Sequence, residues 1–305
     1  MDIIEDLGSL CPLSGTVALS IGTFDGIHLG HQKILCRAAD IADTSVVITF
    51  SNHPKELLSP TEAPKFLCSL KQKLSLIEQC GIDIVLLFMF SEEFRQQSTK
   101  AFLQRIKSHT AFVKLILGDN ARFGNGRAGS HNAVKIIGEE LGFSVEYVKT
   151  MQVDGEDISS KRIRKLVNTG DMVTAKNLLG REYSIRSKVI KGHGKSYITG
   201  FPTANMDIAG LCLPPSGVYA ATTVIEGVSI PGIVNIGTAP TIKNTSSPEL
   251  EVHILKNVGN IYGKDLEVIF HTFIRQERCF SSVEMLKKQI SIDIASTREK
   301  CERNA

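Results

Sequence analysis

Five apolar runs of strand length punctuate the first half of the chain: TVALSIG (16–22), SVVITF (45–50), DIVLLFMF (83–90), FVKLILGD (112–119) and SVEYVKTM (144–151). The stretches between them repeat apolar residues at helical spacing, as in LGHQKILCRAADIA, SLKQKLSLIEQC, STKAFLQRIKSH and HNAVKIIGEELG. Nearly continuous apolar strands separated by helices predict βαβ units, and hence an α/β domain with a doubly wound parallel sheet covered on both faces. Two further helical pieces follow, SSKRIRKLVNTG and MVTAKNLLG. After Gly180 the texture changes. From Tyr183 to Ile274 the runs are short, β-branched and broken by Gly and Pro: SIRSKVIKG, GVYAATTVI, IPGIVNIG, ELEVHIL and DLEVIFHTFI. Short, evenly spaced strands predict a compact antiparallel barrel or sandwich. The chain closes on SSVEMLKKQISIDIASTREK, a helix that its leading serines can cap. Two domains are expected, 1–182 and 183–305, as a length of 305 residues also implies.

Composition narrows the class of function. Hydrophobic residues make up 42% and charged residues 22%, the balance of an ordinary soluble globular chain. A net charge of +3 suits phosphate-bearing small molecules. A nucleic-acid role is not expected, because no basic stripe with interleaved aromatics is present and the chain has no tryptophan. The seven cysteines (Cys11, Cys36, Cys68, Cys80, Cys212, Cys279, Cys301) are dispersed and form no CxxC, which argues for reduced thiols in a cytoplasmic protein. The acidic start MDIIEDLGSL has no apolar h-region, so no signal peptide is expected, and no apolar run reaches the roughly 18 residues of a membrane span, so no membrane role is expected. The pattern specifies no oligomeric state.

Chemistry concentrates first in TFDGIHLGH (23–31), which follows the first strand and opens the first helix. In parallel sheets, ligands gather beyond the carboxyl ends of the strands. His28 and His31 share one helical face. Three readings stand side by side: two metal ligands without a matching third, histidines satisfied in a core, or donors to a phosphate chain at a helix N-terminus. Gly26 and Gly30 let a nucleotide approach closely, which favours the last. The two imidazoles would then stabilise charge developing at an α-phosphorus.

GTFDGIHLGHQKIL resembles the HxGH motif of nucleotidylyltransferases, in the GxFDGxHxGH form of the bacterial bifunctional riboflavin kinase/FAD synthetases. TFSNHP (49–54) is similar to that family's TFxPHP segment, LGDNARFGNGRAG (117–129) to its xGxDFRFGxxxxG loop, and ISSKRIR (158–164) to its ISSTxIR motif. GFPTAN (200–205), NIGTAPT (235–241), EVHIL (251–255) and IRQERCF (274–280) follow the order of the riboflavin kinase half. The resemblance covers about residues 14 to 295. It implies an N-terminal Rossmann-type domain that adenylylates FMN, and a C-terminal antiparallel β-barrel with a terminal helix that phosphorylates riboflavin.

In the first domain the resemblance implies that His28, His31 and Arg164 carry the chemistry. Gly22, Phe24, Asp25, Gly26, Gly30, Asn120, Ser159, Ser160 and Arg162 would bind ATP and its phosphates, with Phe123 against the flavin. In the second, Thr203 and Asn205 would hold Mg²⁺, Glu251 would accept the 5′-hydroxyl proton of riboflavin, and Arg275 would position the flavin or its phosphate. The implied substrates are riboflavin, FMN and ATP, with Mg²⁺ needed by both reactions.

The chain departs from the family at Lys161, where threonine is usual, and at Asn120-Ala121, where many members carry Asp-Phe. Ahead of GFPTAN it has GKSYIT in place of RGRxx, with Ser196 and Tyr197 the altered positions. An alternative rests on those two: a C-terminal domain reduced to flavin binding, with only adenylylation active. Two decoys also occur. GHGKS (192–196) ends like a Walker A loop, but Val189 stands where its first glycine belongs. GNGRAG (124–129), with Glu146 about 20 positions on, satisfies the dinucleotide form and makes a nicotinamide dehydrogenase the rival; Arg122 and Arg127 around it fit a phosphate loop better.

Overall fold

Strands and helices form where the apolar spacing places them. A computed structural model of the chain describes residues 1–121, 130–192, 200–238 and 248–302, with the side chains of 238 and 300–302 outside that description. Arg122, Phe123, the GNGRAG glycines, Arg127, Ser196 and Tyr197 lie outside the described residues. The chain forms two compact units, Met1–Lys65 with Gln72–Ser160, and Phe66–Lys71 with Lys161–Ala305.

In the first unit, β1 (Asp2–Ile4), β2 (Val17–Ile21), β3 (Thr44–Phe50), β4 (Ile84–Phe88), β5 (Lys114–Gly118) and β6 (Ser144–Val148) make one parallel sheet in the order β1-β4-β3-β2-β5-β6. The connections carry α1 (Leu29–Asp40), α2 (Pro54–Leu58), α3 (Leu70–Gln79), α4 (Glu92–Gln96), α5 (Thr99–Thr110) and α6 (His131–Leu141). The doubly wound sheet is therefore present. The three residues of β1 are an addition: the acidic start pairs alongside β4, Asp2 opposite Ile84. A small ribbon, β7 (Gln152–Val153) and β8 (Glu156–Asp157), follows β6.

The absence of polar alternation has a simple cause. Val17, Ala18, Leu19 and Ser20 are all fully buried, because helices cover both faces. Leu19, Val46, Ile48, Leu86 and Leu115 share a core with Phe102, Leu103 and Ile106 of α5. The alternate set, Ala18, Val47, Val85 and Ile116, points the other way and is buried too. Setting β1 aside, winding starts at β2, runs out through β3 and β4, then restarts at β5 on the other side. The reversal lies between β2 and β5, where such sheets open a crevice.

The second unit takes up α7 (Ser160–Thr169) from Lys161 onward and α8 (Met172–Leu179). Its strands β9 (Ser184–Ile190), β10 (Ala204–Met206), β11 (Gly217–Ile225), β12 (Val228–Thr238), β13 (Pro248–Ile254) and β14 (Asp265–Arg275) close into an antiparallel barrel, and α9 (Val283–Glu302) ends the chain. The barrel, not a sandwich, is the form adopted. Val234, Leu250, Val252, Leu266, Val268 and Phe270 are buried in it, and closure leaves no strand edge open. The segment Phe66–Lys71 belongs to this unit through backbone bonds between Phe66 and both Gly210 (2.8 Å) and Cys212 (2.7 Å).

Candidate active sites

β2 delivers TFDGIHLGH to the point where the winding reverses. The turn is strained: φ is 47° at Phe24, 80° at Gly26 and 37° at Ile27. A left-handed phenylalanine and a left-handed β-branched isoleucine each cost about 1–3 kcal/mol, so their surroundings must over-determine them. They do so at three alternate carbonyls. That of Thr23 accepts the Thr49 hydroxyl at 3.2 Å and the Lys73 ammonium at 3.4 Å. That of Asp25 accepts the Ser160 hydroxyl at 2.9 Å, and that of Ile27 the Gln32 side-chain amide at 2.8 Å. Gly22 lets the Phe24 ring lie close, since a Cβ there would sit 3.0 Å from it.

His28 caps α1, its Nδ1 accepting the backbone N–H of His31 at 3.3 Å. A nitrogen that accepts carries no proton, so His28 is the Nε2–H tautomer with Nε2 a donor. The two imidazoles stack at 3.6 Å, and the Phe24 ring stands edge-on to His31 at 5.3 Å. Gly30 keeps the stack close, because a Cβ would come within 3.2 Å of the His28 ring. Burial, with His28 and the Lys73 ammonium adding to it, pushes His31 well below the usual imidazole range. It is neutral at pH 7.

The Nδ1 of His31 is buried without a hydrogen-bond partner. An unsatisfied buried nitrogen argues against histidines merely settled in a core. Among the described residues, no group of three His, Cys, Asp or Glu side chains could hold a metal. A helix N-terminus with an unsatisfied imidazole is a place for an anion.

The remaining predicted residues divide between the two units, Arg162 and Arg164 falling in the second. Asp25 is buried within the turn. Ser159 is half-buried before α7, and Arg162 and Arg164 are half-buried on its first turns. Asn120, just past β5, donates to the Thr150 hydroxyl at 3.2 Å. Ala121 packs against the core of the sheet. Glu146 has both oxygens taken by Arg37, at 2.7 and 3.1 Å, so the acidic ribose ligand of the dehydrogenase reading is already paired. The sequence did not single out Gln32, Thr49 or Lys73. Gln32, directly after the histidines, and Thr49, at the head of TFSNHP, do lie inside quoted motifs.

In the barrel one row of paired residues gathers the chemistry. Asn205 of β10 stands opposite Glu251 of β13, and Glu251 opposite Asn235 of β12. Asn235 faces Val218 of β11, which faces Arg275 of β14. Directly paired residues present side chains on the same face, so register makes a belt Asn205–Glu251–Asn235–Val218–Arg275. A cavity of about 320 Å³ opens on it, lined among others by Thr203, Glu251, Asn235, His253 and Arg275, with Leu286, Ile290 and Asp293 of α9 as a further wall. Their spacing puts these three on one helical face.

Side chains around the belt hold one another. His253 donates from Nδ1 to the Pro202 carbonyl at 2.8 Å and meets Phe201 edge-on, fixing the turn that carries Thr203. Asn235 donates to Glu277 at 3.2 Å. Arg275 donates to Asp293 from Nε (3.0 Å) and Nη2 (2.8 Å), and from Nη1 to the Gln276 carbonyl at 3.0 Å. Asp293 also accepts from Gln289 at 2.7 Å, and Gln289 accepts from Arg278. Asn235, His253, Glu277 and Asp293 went unremarked in the sequence. Asn235, His253 and Glu277 do lie inside quoted motifs.

The donors Thr203 and Asn205 are both oxygen, a hydroxyl and an amide carbonyl, and Asn205 pairs in register with Glu251. Such a hard, sparsely charged set fits Mg²⁺, which keeps much of its water and shares the rest with phosphates. Gly192 closes on this corner: a Cβ there would fall 2.0 Å from Asn205 Nδ2.

Two family models match the chain. One described as FAD synthetase spans residues 12–162, and one described as riboflavin kinase spans 179–301. A bifunctional riboflavin kinase/FMN adenylyltransferase of Pseudomonas fluorescens is 35% identical, over 98% of this chain and 97% of its own length. The like-named protein of Escherichia coli K12 is 34% identical over the same shares, 98% and 97%. Among solved structures, one described as a macrolide-efflux protein from Streptococcus pneumoniae superposes with a TM-score of 0.81 at 24% identity, covering 97% of this chain and 98% of its own. At that identity the likeness speaks for the fold alone.

Proposed function

The chain belongs to the bifunctional riboflavin kinase/FMN adenylyltransferases, and from that premise we propose that it makes FMN from riboflavin and then FAD from FMN, with ATP as co-substrate in both steps. The kinase activity is assigned to residues 183–305 and the adenylyltransferase to residues 1–182. The observation that supports the kinase assignment is the register belt, in which Asn205 pairs with Glu251 and in which Glu251, Asn235 and Arg275 line one cavity.

In the kinase step Glu251 accepts the proton of the riboflavin 5′-hydroxyl as its oxygen bonds to the γ-phosphorus of ATP. The bond from that phosphorus to the bridging oxygen breaks, and ADP leaves. Thr203 and Asn205 would hold Mg²⁺, which supplies neutralisation of phosphate charge. Arg275, anchored by Asp293, positions the flavin. The barrel's task is placement, since the transfer needs no covalent intermediate.

In the adenylylation step a phosphate oxygen of FMN attacks the α-phosphorus of a second ATP, and pyrophosphate departs. His28, a donor at Nε2, and His31 face the charge that develops there. Arg162 and Arg164, with Ser159, supply partners for the phosphates; Ser160 acts through the turn, by holding the Asp25 carbonyl. Phe123 is assigned to the flavin. No helix of the described residues is long and apolar enough to cross a membrane. The dispersed cysteines, which form no CxxC, support a place in the reducing cytoplasm.

The test is a product assay. Purified protein is incubated with Mg-ATP and either riboflavin or FMN, and the flavins are separated by chromatography. FMN followed by FAD from riboflavin is expected. FAD from FMN with riboflavin untouched would leave the barrel a flavin-binding module, and no product in either tube would end the proposal.

A further inference from the structure

Lys73 is buried at 4% exposure in α3. Its ammonium donates to the carbonyl of Phe50, the last residue of β3, at 2.6 Å, and reaches the carbonyl of Thr23 at 3.4 Å. A methionine would fill similar space without the cost of taking an ammonium out of water, and that cost is large unless the charge is well bonded. The position needs the charge or its hydrogen bonds. What they grip is specific. Thr23 opens the strained turn, and its carbonyl is the first of the three that side chains restrain. Three residues with left-handed backbones, Phe24, Gly26 and Ile27, lie between that carbonyl and His28.

We propose that Lys73 is a positioning residue for adenylyl transfer, clamping the exit of β2 to the end of β3 so that the strained turn presents His28 and His31 in one fixed arrangement. The proposal rests on the adenylyltransferase reading of this crevice. Lys73 acts through backbone carbonyls and the ring of His31, not on substrate. Its charge also helps to keep His31 neutral beside the stacked His28.

The experiment is single-turnover FAD formation with the full-length enzyme in excess over FMN at saturating Mg-ATP. In that regime the rate constant reports positioning, while the amplitude reports the fraction of competent enzyme. Lys73→Met is expected to lower the rate constant by about 10²-fold, the scale of an ångström-sized misplacement, with amplitude kept. Lys73→Arg, which retains a buried cation able to donate twice, is expected to recover at least about tenfold of that loss. Lys73→Gln is made alongside in case the apolar variant does not fold, and riboflavin phosphorylation by the same samples reports the state of the barrel. An unchanged rate constant, or a loss confined to amplitude, overturns the proposal while leaving the crevice reading intact. A wild type that makes no FAD from FMN overturns both.

Discussion

Replacing Asp293 by asparagine tests how far the terminal helix sets the kinase site. Both oxygens of Asp293 accept hydrogen bonds: Oδ1 from Gln289 and from Arg275 Nε, Oδ2 from Arg275 Nε and Nη2. An asparagine amide must turn its NH₂ toward one of these donors. Facing Arg275 it repels the guanidinium. Facing Gln289 it forces that side chain to flip, and the flip breaks the bond Gln289 accepts from Arg278. Either way Arg275 loses its counter-charge. Breaking a buried pair costs about 3–5 kcal/mol. Here the side chains are 3% and 19% exposed, so a partly hydrated Arg275 brings the expectation to about 2–3 kcal/mol. For a unit of this size that lowers the urea midpoint by about 1–2 M. Unfolding followed by circular dichroism gives the midpoint, and initial rates of riboflavin phosphorylation give kcat/KM, which should fall with the weakened α9 wall. FAD formation from FMN should not change. An unaltered midpoint together with unaltered riboflavin kinetics would show that Arg275 is satisfied without Asp293, and the belt would not depend on the helix.

Three further outcomes are expected. Glu251→Gln removes the proposed base and should lower riboflavin phosphorylation by about 10²–10⁴-fold, with FAD formation from supplied FMN spared; equal loss of both would remove Glu251 from its role. Gly192→Ala drives a Cβ into the Asn205 amide, 2.0 Å away, and should raise the kinase KM for Mg-ATP by about tenfold, as loss of a neighbour that orients a metal ligand does; an unchanged KM would separate Asn205 from the metal. His31, pushed below its ordinary range by burial first and by His28 and Lys73 next, stays neutral when folded. An unfolded imidazole gains its proton as pH falls through about 6.5, so stability from this group is present above that pH and lost below it. The loss is at most about 1.4 kcal/mol per pH unit, and His31→Asn should flatten the fall in urea midpoint between pH 7.5 and 5.5; parallel slopes would refute the burial argument.

How much of this the sequence discloses depends on the range of each constraint. The parallel strands were legible because burial on both faces writes a nearly continuous apolar run into five consecutive residues, as in VALSI and IVLLF. TFDGIHLGH was legible because a strand exit, a helix start and two imidazoles lie within nine positions. β10 was not, since three residues carry no period, and Ala204–Met206 becomes a strand only by pairing with β9 and β13. Lys73 illustrates the same limit in a helix. In SLKQKLSLIEQC the spacing of Leu70, Leu74 and Ile77 assigns the apolar face, and Lys73, three positions after Leu70 and four before Ile77, falls on it, but a lysine by type belongs to solvent. The folded chain instead buries Lys73, because the carbonyls of Phe50 and Thr23 meet there from two different strand ends. Asn235 and Asp293 follow suit: one enters the belt through the register of β12 against β13, the other through the seating of α9. Residues that meet a ligand cluster in motifs, because one small molecule constrains neighbours together. Residues that hold those residues scatter, because any element packed against the motif can supply them. The stacked His28 and His31 were therefore visible from the first reading, while the ammonium that keeps their turn in place required the fold.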